Sequence, residues 1–188
     1  MKLGAGKSMA KREHYHTSLT LPTANELNIF LEYIKNISSK KSKPRFLIIG
    51  SSPELREIAA KFKAKTTVIA NDLEIIERTT KLMKIKNEDE EWLEGSIINL
   101  PLKKGSFDVI FSDNILSNVP PFNREIFYKK MKEIIKKDGI VILRSVVFKK
   151  TAKAFERKLT KYFKILRKDF GKEGLFSEYF HIYFLKPK

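Results

Sequence analysis

The chain has 188 residues, 42% hydrophobic and 32% charged, a composition that suits one globular domain with a substantial core. It has no cysteine, which excludes disulfides, thiolate zinc sites and a cysteine nucleophile, and it has no run of about eighteen apolar residues that would span a membrane. Its formal net charge of +16 creates a field that attracts polyanions and speeds their encounter.

Residues 1–20 are polar, basic and without periodicity, and read as a flexible arm. Within them Gly4-Ala5-Gly6-Lys7-Ser8 has the wrong glycine spacing for a phosphate loop and no strand before it. His14 and His16 read as surface histidines; no metal site is expected, because no third ligand is gathered near them in the sequence. Thr23-x-x-Glu26 after Pro22 is a capping box, and Leu27, Phe30, Leu31 and Ile34 form an apolar stripe, so residues 23–37 are expected to be a helix packed on a sheet. Ser38 to Pro44 is a basic connection. Phe46 to Ile49 is a continuous apolar run that stops at Gly50, the pattern of a strand buried on both faces. Ser52 is placed to cap a following helix, Pro53 suits its first position, Glu54 complements its dipole, and Leu55, Ile58, Ala59 and Phe62 repeat with helical spacing. A second strand, Thr66 to Ala70, ends in Asn71-Asp72, about twenty residues beyond the glycine, where dinucleotide-type folds carry a ribose-binding acid.

From Asp72 a helix is expected to about Lys84, with Leu73, Ile76, Thr80 and Met83 inward, followed by an acidic turn and a short strand at Trp92 to Glu94. A fourth strand, Phe107 to Ser112, brings Asp113 and Asn114 to the same sheet edge as Gly50 and Asp72, the edge where open α/β sheets bind ligands. Asn123 is expected to cap a helix that buries Ile126, Phe127, Met131, Ile134 and Ile135 and ends at Gly139; Ile140 to Phe148 is the fifth strand. Thr151 starts a helix with Ala152, Phe155, Leu159 and Tyr162 inward and Lys153, Arg157 and Lys161 outward. Phe163 to Asp169 and Tyr179 to Leu185 read as a terminal hairpin. Residues 149–172 hold ten lysines and arginines against Glu156 and Asp169, so half of the net positive charge is concentrated there.

Four segments together carry a family resemblance: Gly50-Ser51-Ser52-Pro53, Asp72, the pair Asn99-Leu100-Pro101-Leu102 and Gly105 to Ser112, and Lys137 to Leu143. In this order they resemble the motifs of class I S-adenosylmethionine-dependent methyltransferases of the small type-11 kind. The resemblance runs from about Arg45 to the C-terminus. It implies a single α/β domain over 1–188 with a three-layer Rossmann-like core at 45–188, built on a seven-stranded, mostly parallel sheet whose last strand is antiparallel. It further implies S-adenosylmethionine as cofactor and an enzyme; a cytoplasmic location is the expectation for a chain with no cysteine and no long apolar run. Gly50, Ser51 and Ser52 would meet the methionine end, Asp72 would accept the ribose hydroxyls with Leu73 beside it, and Ser96 and Ile97 would border the adenine. Asp113 would lie near the transferred methyl as the candidate catalytic residue.

The chain departs from the family pattern at Ile48, where an acid is usual, at Ser52 and Glu54, which replace the second and third glycines, and at Ser96, which replaces an acid. A non-catalytic Rossmann-like module that binds RNA or a protein through its basic face is therefore the second expectation. RNA ribose 2'-O-methyltransferases offer a third comparison: Ser51-Ser52, Asp113 and Glu178 match their pattern, but Arg144 stands where they carry a lysine, and a guanidinium does not serve as a deprotonating group. Asn118 to Phe122 resembles the N-P-P-F motif of amino-methylating enzymes on nucleic acids, with Val119 inserted. The acceptor is left open between small molecules, nucleic acid and protein.

Overall fold

The computed structural model describes residues 22–38, 42–170 and 180–188. The expectations for residues 1–20, including His14 and His16, and for Glu178 and Tyr179 fall outside these. The strand Arg45–Ile49 (β1) sets the architecture. Successive side chains of a strand point to opposite faces, so Phe46 and Ile48 enter one apolar cluster while Leu47 and Ile49 enter another. Both faces must then be covered, which a single layer of helices cannot do.

The covering elements follow from the sequence. On the Phe46/Ile48 face lie α1 (Ala24–Ser38), α2 (Pro53–Lys61) and α3 (Leu73–Leu82), which contribute Phe30, Ile34, Leu55, Ile58 and Ile76. On the Leu47/Ile49 face lie α4 (Arg124–Ile134) and α5 (Ala152–Leu159), which contribute Phe127, Met131, Ile134 and Leu159. Between them is a seven-stranded sheet formed by β1, β2 (Lys65–Ala70), β3 (Glu90–Glu94), β4 (Phe107–Asp113), β5 (Ile135–Val146), β6 (Phe163–Phe170) and β7 (Phe180–Pro187). The strand order is β3-β2-β1-β4-β5-β7-β6, with the pairs from β3 to β5 parallel and β7 antiparallel to both β5 and β6. The expected seven strands and the antiparallel last strand between its neighbours are both present. Among the described residues no helix is long and apolar enough to cross a membrane.

Several local expectations are corrected. The fourth helix ends at Ile134 instead of Gly139: Ile135 already pairs with Phe107, and the register then shifts so that Ile140 pairs with Val109. Gly139 lies inside β5, and its role is close approach, since a Cβ there would stand 2.9 Å from the Asp108 carbonyl oxygen and 2.8 Å from Ile135 Cδ1. Ile126 is exposed, because the helix turns Phe127 and Tyr128 inward. On α3 it is Thr79, not Thr80, that is fully buried, and the helix stops at Leu82, with Met83 extended. The fifth strand ends at Val146, two residues early, and leaves Phe148 exposed.

A buried ion pair ties α2 and α3 to β3. Arg56, 1% exposed, donates to both Glu90 oxygens through Nε at 3.1 Å and through Nη2 at 2.5 Å. Its remaining N–H groups reach the Ile76 carbonyl, Thr79 Oγ1 and Thr80 Oγ1, and Trp92 Nε1 donates to Glu90 at 2.7 Å. Removing one partner of such a pair strands the other charge, which costs about 3–5 kcal/mol, whereas removing both is far milder. Arg56→Met is thus expected to lower the urea unfolding free energy by about that amount, and Arg56→Met with Glu90→Gln to recover at least half of the loss. Equal losses in the single and double variants would assign the effect to packing instead of charge.

Candidate active site

Four parallel strands end side by side at one edge, and each delivers part of the site. After β1 the chain turns at Gly50, whose φ of +104° is a conformation that side-chain-bearing residues rarely adopt. Its N–H donates to the Ile69 carbonyl at 2.8 Å, and an added Cβ would stand 3.2 Å from Ile115 Cδ1. Ser51 and Ser52 are buried at the start of α2. Ser52 occupies the N-cap position but its side chain makes no capping bond; the hydroxyl donates to Glu54 Oε2 at 3.0 Å, a charged acceptor two residues on. The Glu54 carboxylate is thereby engaged by its own helix.

At the end of β2, Asp72 caps α3: Oδ1 accepts from the Glu74 N–H at 2.9 Å. Among the described residues no protein donor reaches Oδ2, and the carboxylate is half-buried. Leu73 is partly buried against the α1–α3 core. After β3, Gly95 has a φ of +131° and its N–H donates to the Ala70 carbonyl. Ser96 begins a tight turn, accepting from the Asn99 and Leu100 N–H groups through its carbonyl. Ile97 is buried, and its side chain packs with Ile49, Ile69 and Leu116.

At the end of β4, Asp113 accepts from Arg144 Nη1 at 2.9 Å. Arg144 also donates through Nε to Glu26 Oε1 at 3.0 Å, and its guanidinium lies 3.8 Å from the centroid of the Phe180 ring. The other Glu26 oxygen closes the capping box by accepting from the Thr23 N–H at 2.7 Å, while Thr23 Oγ1 accepts from the Glu26 N–H at 3.3 Å. Burial pushes the Asp113 carboxyl up to about 6 against the pull of Arg144, and the negative charges of Glu26 and Glu54 add to the rise. Its side chain keeps 10% exposure, so a carboxylate that titrates near neutrality opens onto the edge. Next to it Asn114 is left-handed, with φ +52°, and its side-chain oxygen is buried without a partner.

The strand order thus brings Gly50, Ser51, Ser52, Asp72, Ser96 and Asp113 to one edge, while the Ile97 side chain turns into the core. Asn118 to Phe122 forms a separate turn beyond β4, with Phe122 strongly exposed, instead of extending the strand end. Sequence reasoning did not find the Glu26–Arg144–Asp113 cluster, although an arginine inside an apolar strand signals that buried partners exist. A second missed group is His181, Tyr183 and Glu156 on the α5 face. Tyr183 Oη donates to Glu156 Oε1 at 3.1 Å and lies 3.0 Å from His181 Nδ1; Lys168 Nζ also donates to Glu156 at 2.5 Å. Since the one phenolic proton is given to Glu156, the Tyr183 oxygen accepts from His181, which places the imidazole proton on Nδ1. Burial holds the His181 pKa below its ordinary value, so the ring is neutral. Among the described residues no group of three or more His, Asp or Glu side chains is placed to hold a metal ion.

Comparison with known proteins gives the fold relatives and the chain a family. No curated protein matches the chain significantly by sequence. Solved structures match in fold. The PH0226 protein from Pyrococcus horikoshii OT3 is 11% identical with a TM-score of 0.64, over 95% of this chain and 99% of that one. The N-methyltransferase NodS from Bradyrhizobium japonicum WM9, in complex with S-adenosyl-L-homocysteine, is 14% identical with a TM-score of 0.66, over 88% of each chain. The 1,6-didemethyltoxoflavin-N1-methyltransferase of Burkholderia thailandensis, with 1,6-didemethyltoxoflavin and S-adenosylhomocysteine bound, is 9% identical with a TM-score of 0.66, over 86% of this chain and 78% of that one. A family profile described as a methyltransferase domain matches residues 49–143, which is half of the chain and runs from the last residue of β1 into β5. The chain belongs to this methyltransferase family, the class I, S-adenosylmethionine-dependent group that its motif series resembles.

Proposed function

We propose that the protein binds S-adenosylmethionine across the ends of β1, β2 and β3 and methylates an acceptor that approaches over β4 and β5. The observation that carries this reading is the strand order, which sets the ends of β1, β2 and β4, with Gly50, Asp72 and Asp113, next to one another. The residues present fit the cofactor. Gly50, with no side chain, lets the cofactor approach closely, the α2 N-terminus offers backbone N–H groups to its carboxylate, and Glu54, held by Ser52, is less free to repel it. Asp72 keeps Oδ2 for the ribose hydroxyls while Oδ1 caps α3. The Ser96 hydroxyl suits an adenine edge and leaves Ile97 to anchor the turn from below.

S-adenosylmethionine supplies an electrophilic methyl group on a sulfonium. The chain's contribution is alignment of the acceptor and removal of its proton. Asp113 suits the proton transfer, because with a pKa of about 6 it is ionised at neutral pH yet basic enough to take a proton, and Arg144 fixes its orientation. Arg144 itself is committed to two carboxylates, so a ribose 2'-O mechanism with a strand-five lysine has no counterpart here. The reaction is assigned to the cytoplasm, which a cysteine-free chain suits. Contact with nucleic acid through the basic C-terminal face belongs to the same reading, supported by the exposed outer face of α5 with Lys153 and Arg157.

S-adenosylhomocysteine is expected to bind the wild-type protein in isothermal titration, and Asp72→Ala to weaken it at least tenfold with the fold intact by circular dichroism. No heat of binding at millimolar concentration would leave a non-catalytic module as the better account. Asp113 makes a second prediction. Its folded pKa lies above the ordinary 3.8, so the native state binds the extra proton; the stability it contributes is full below about pH 4 and is lost as pH rises through about 6. The difference in urea unfolding free energy between wild type and Asp113→Asn should therefore shift by about 2–3 kcal/mol over that window. A pH-independent difference would remove the support for Asp113 as the base.

A further inference from the structure

The acceptor half of the site edge is unlike the cofactor half in two respects. First, each of its three parallel strands is followed by an exposed phenylalanine: Phe122 after β4 is 79% exposed, Phe148 after β5 is 59%, and Phe170 at the end of β6 is 49%. From β4 to β6 is three strand spacings, about 15 Å, so these rings follow successive strand ends and do not form a compact hydrophobic patch; Phe170 already meets His181 at its edge and has Lys168 Nζ 5.0 Å from its centroid. Second, cations start at the same edge and run away from it. Lys149, Lys150 and Lys153 are exposed where β5 passes into α5, Arg157 continues the line down the outer face of the helix, and Lys161 is exposed in the turn just past its end. From Lys153 to Arg157 the helical rise is about 6 Å, and Lys161 extends the stripe past the helix end. None of these five forms an ion pair among the described residues: Glu156 takes Lys168 and Tyr183, Asp169 pairs with Arg167 at 2.5 Å, and Glu125, which accepts from the Tyr162 hydroxyl, feels the charge of Lys161 without closing an ion pair. On the cofactor half the exposed charges at the strand ends include Glu74 and Glu94.

We propose, resting on the methyltransferase reading, that the acceptor is a single-stranded nucleic acid. Its phosphates follow the stripe from Lys149 to Lys161, and its unstacked bases lie against Phe122, Phe148 and Phe170, which presents one nucleotide to Asp113. Three features favour this occupant. Phenyl rings stack on bases of any identity, and stacking needs a base face that a duplex does not expose. A polyanion with regularly spaced charges matches a row of exposed cations that form no ion pair among the described residues. A lipid surface would lie flat on the edge and leave Arg157, down the helix, and Lys161, past its end, without a partner.

The test is fluorescence anisotropy of the full chain with labelled oligonucleotides of one sequence, as single-stranded RNA, single-stranded DNA and duplex, over a series of salt concentrations. At least one of the single strands is expected to bind at least tenfold tighter than the duplex. Replacing Lys153, Arg157 and Lys161 together by Gln should flatten the slope of log affinity against log salt by about 2, since each single-strand phosphate contact contributes about 0.7. Phe122→Ala should weaken single-strand binding about fivefold or more and leave the salt slope unchanged, as loss of a stacked base does. Failure of both single strands to bind at low salt, equal affinity for the duplex, or a slope unmoved by the triple replacement would overturn the inference. So would binding to phosphatidylserine vesicles without binding to either strand. Titration with S-adenosylhomocysteine separates the two levels: a protein that binds it but no oligonucleotide is a methyltransferase with another acceptor, and one that binds oligonucleotide but not S-adenosylhomocysteine fails as a methyltransferase.

Discussion

The Arg144 guanidinium is the interaction on which the site depends. A charge in the middle of a buried sheet is tolerated only if it is paired and hydrogen-bonded, and here it is shared between Glu26 of α1 and Asp113 of β4 while stacked on Phe180 of β7. Four elements far apart in sequence are therefore fixed relative to one another at the ligand edge. The helix that covers the sheet is anchored by the same Glu26 that closes its capping box, so its start and its position are set by one carboxylate. Asp113 gains orientation from the pair yet remains hard to ionise, because burial outweighs what one guanidinium returns.

The molecule uses the same device twice for different ends. Arg56, with Glu90, Thr79 and Thr80, closes the α2–α3–β3 corner and has all its donors satisfied, which suits a structural clamp. Arg144 sits at the carboxyl edge, where one of its carboxylates keeps contact with solvent. Both pairs demand specific partners in a way that apolar contacts do not, and both sit where helices are seated on the sheet. The apolar clusters on the two faces supply most of the driving force, and the ion pairs select which arrangement of helices is adopted.

Charge is divided along the edge. The half formed by the ends of β1 to β3 carries Asp72 and a helix N-terminus, whereas the half beyond β4 carries exposed rings and exposed lysines that form no ion pair among the described residues. On the α5 face the chain His181, Tyr183, Glu156 is held neutral at the imidazole by burial and by the direction of its hydrogen bonds. Lys168, which completes it, is the β6 cation drawn inward to Glu156.

Much of this was legible in the sequence, for reasons of period and punctuation. The unbroken apolar run of Phe46 to Ile49 ending at Gly50 specified a strand buried on both faces, and so helices on both sides; the Thr23–Glu26 box located the start of α1; the ordered motifs gave the family and the sheet order. Local signals misled where a tertiary contact competed. Gly139 looked like a helix end because glycine commonly supplies a left-handed cap, but what required it was the Asp108 carbonyl of a neighbouring strand. Ser52 sat at a cap position, yet its hydroxyl went to the Glu54 carboxylate. Sequence by itself determined which elements form and, for most, which face is buried, since those follow from side-chain spacing along one chain; the ends of α4 and β5 and the exposure of Ile126 did not follow from it. Only the tertiary structure decided that Glu26, Asp113 and Arg144 are partners, that Ile97 turns inward, and that Phe122, Phe148 and Phe170 stay exposed beyond their strands, because pairing across up to 118 positions of chain is a property of the folded molecule and leaves no periodic trace.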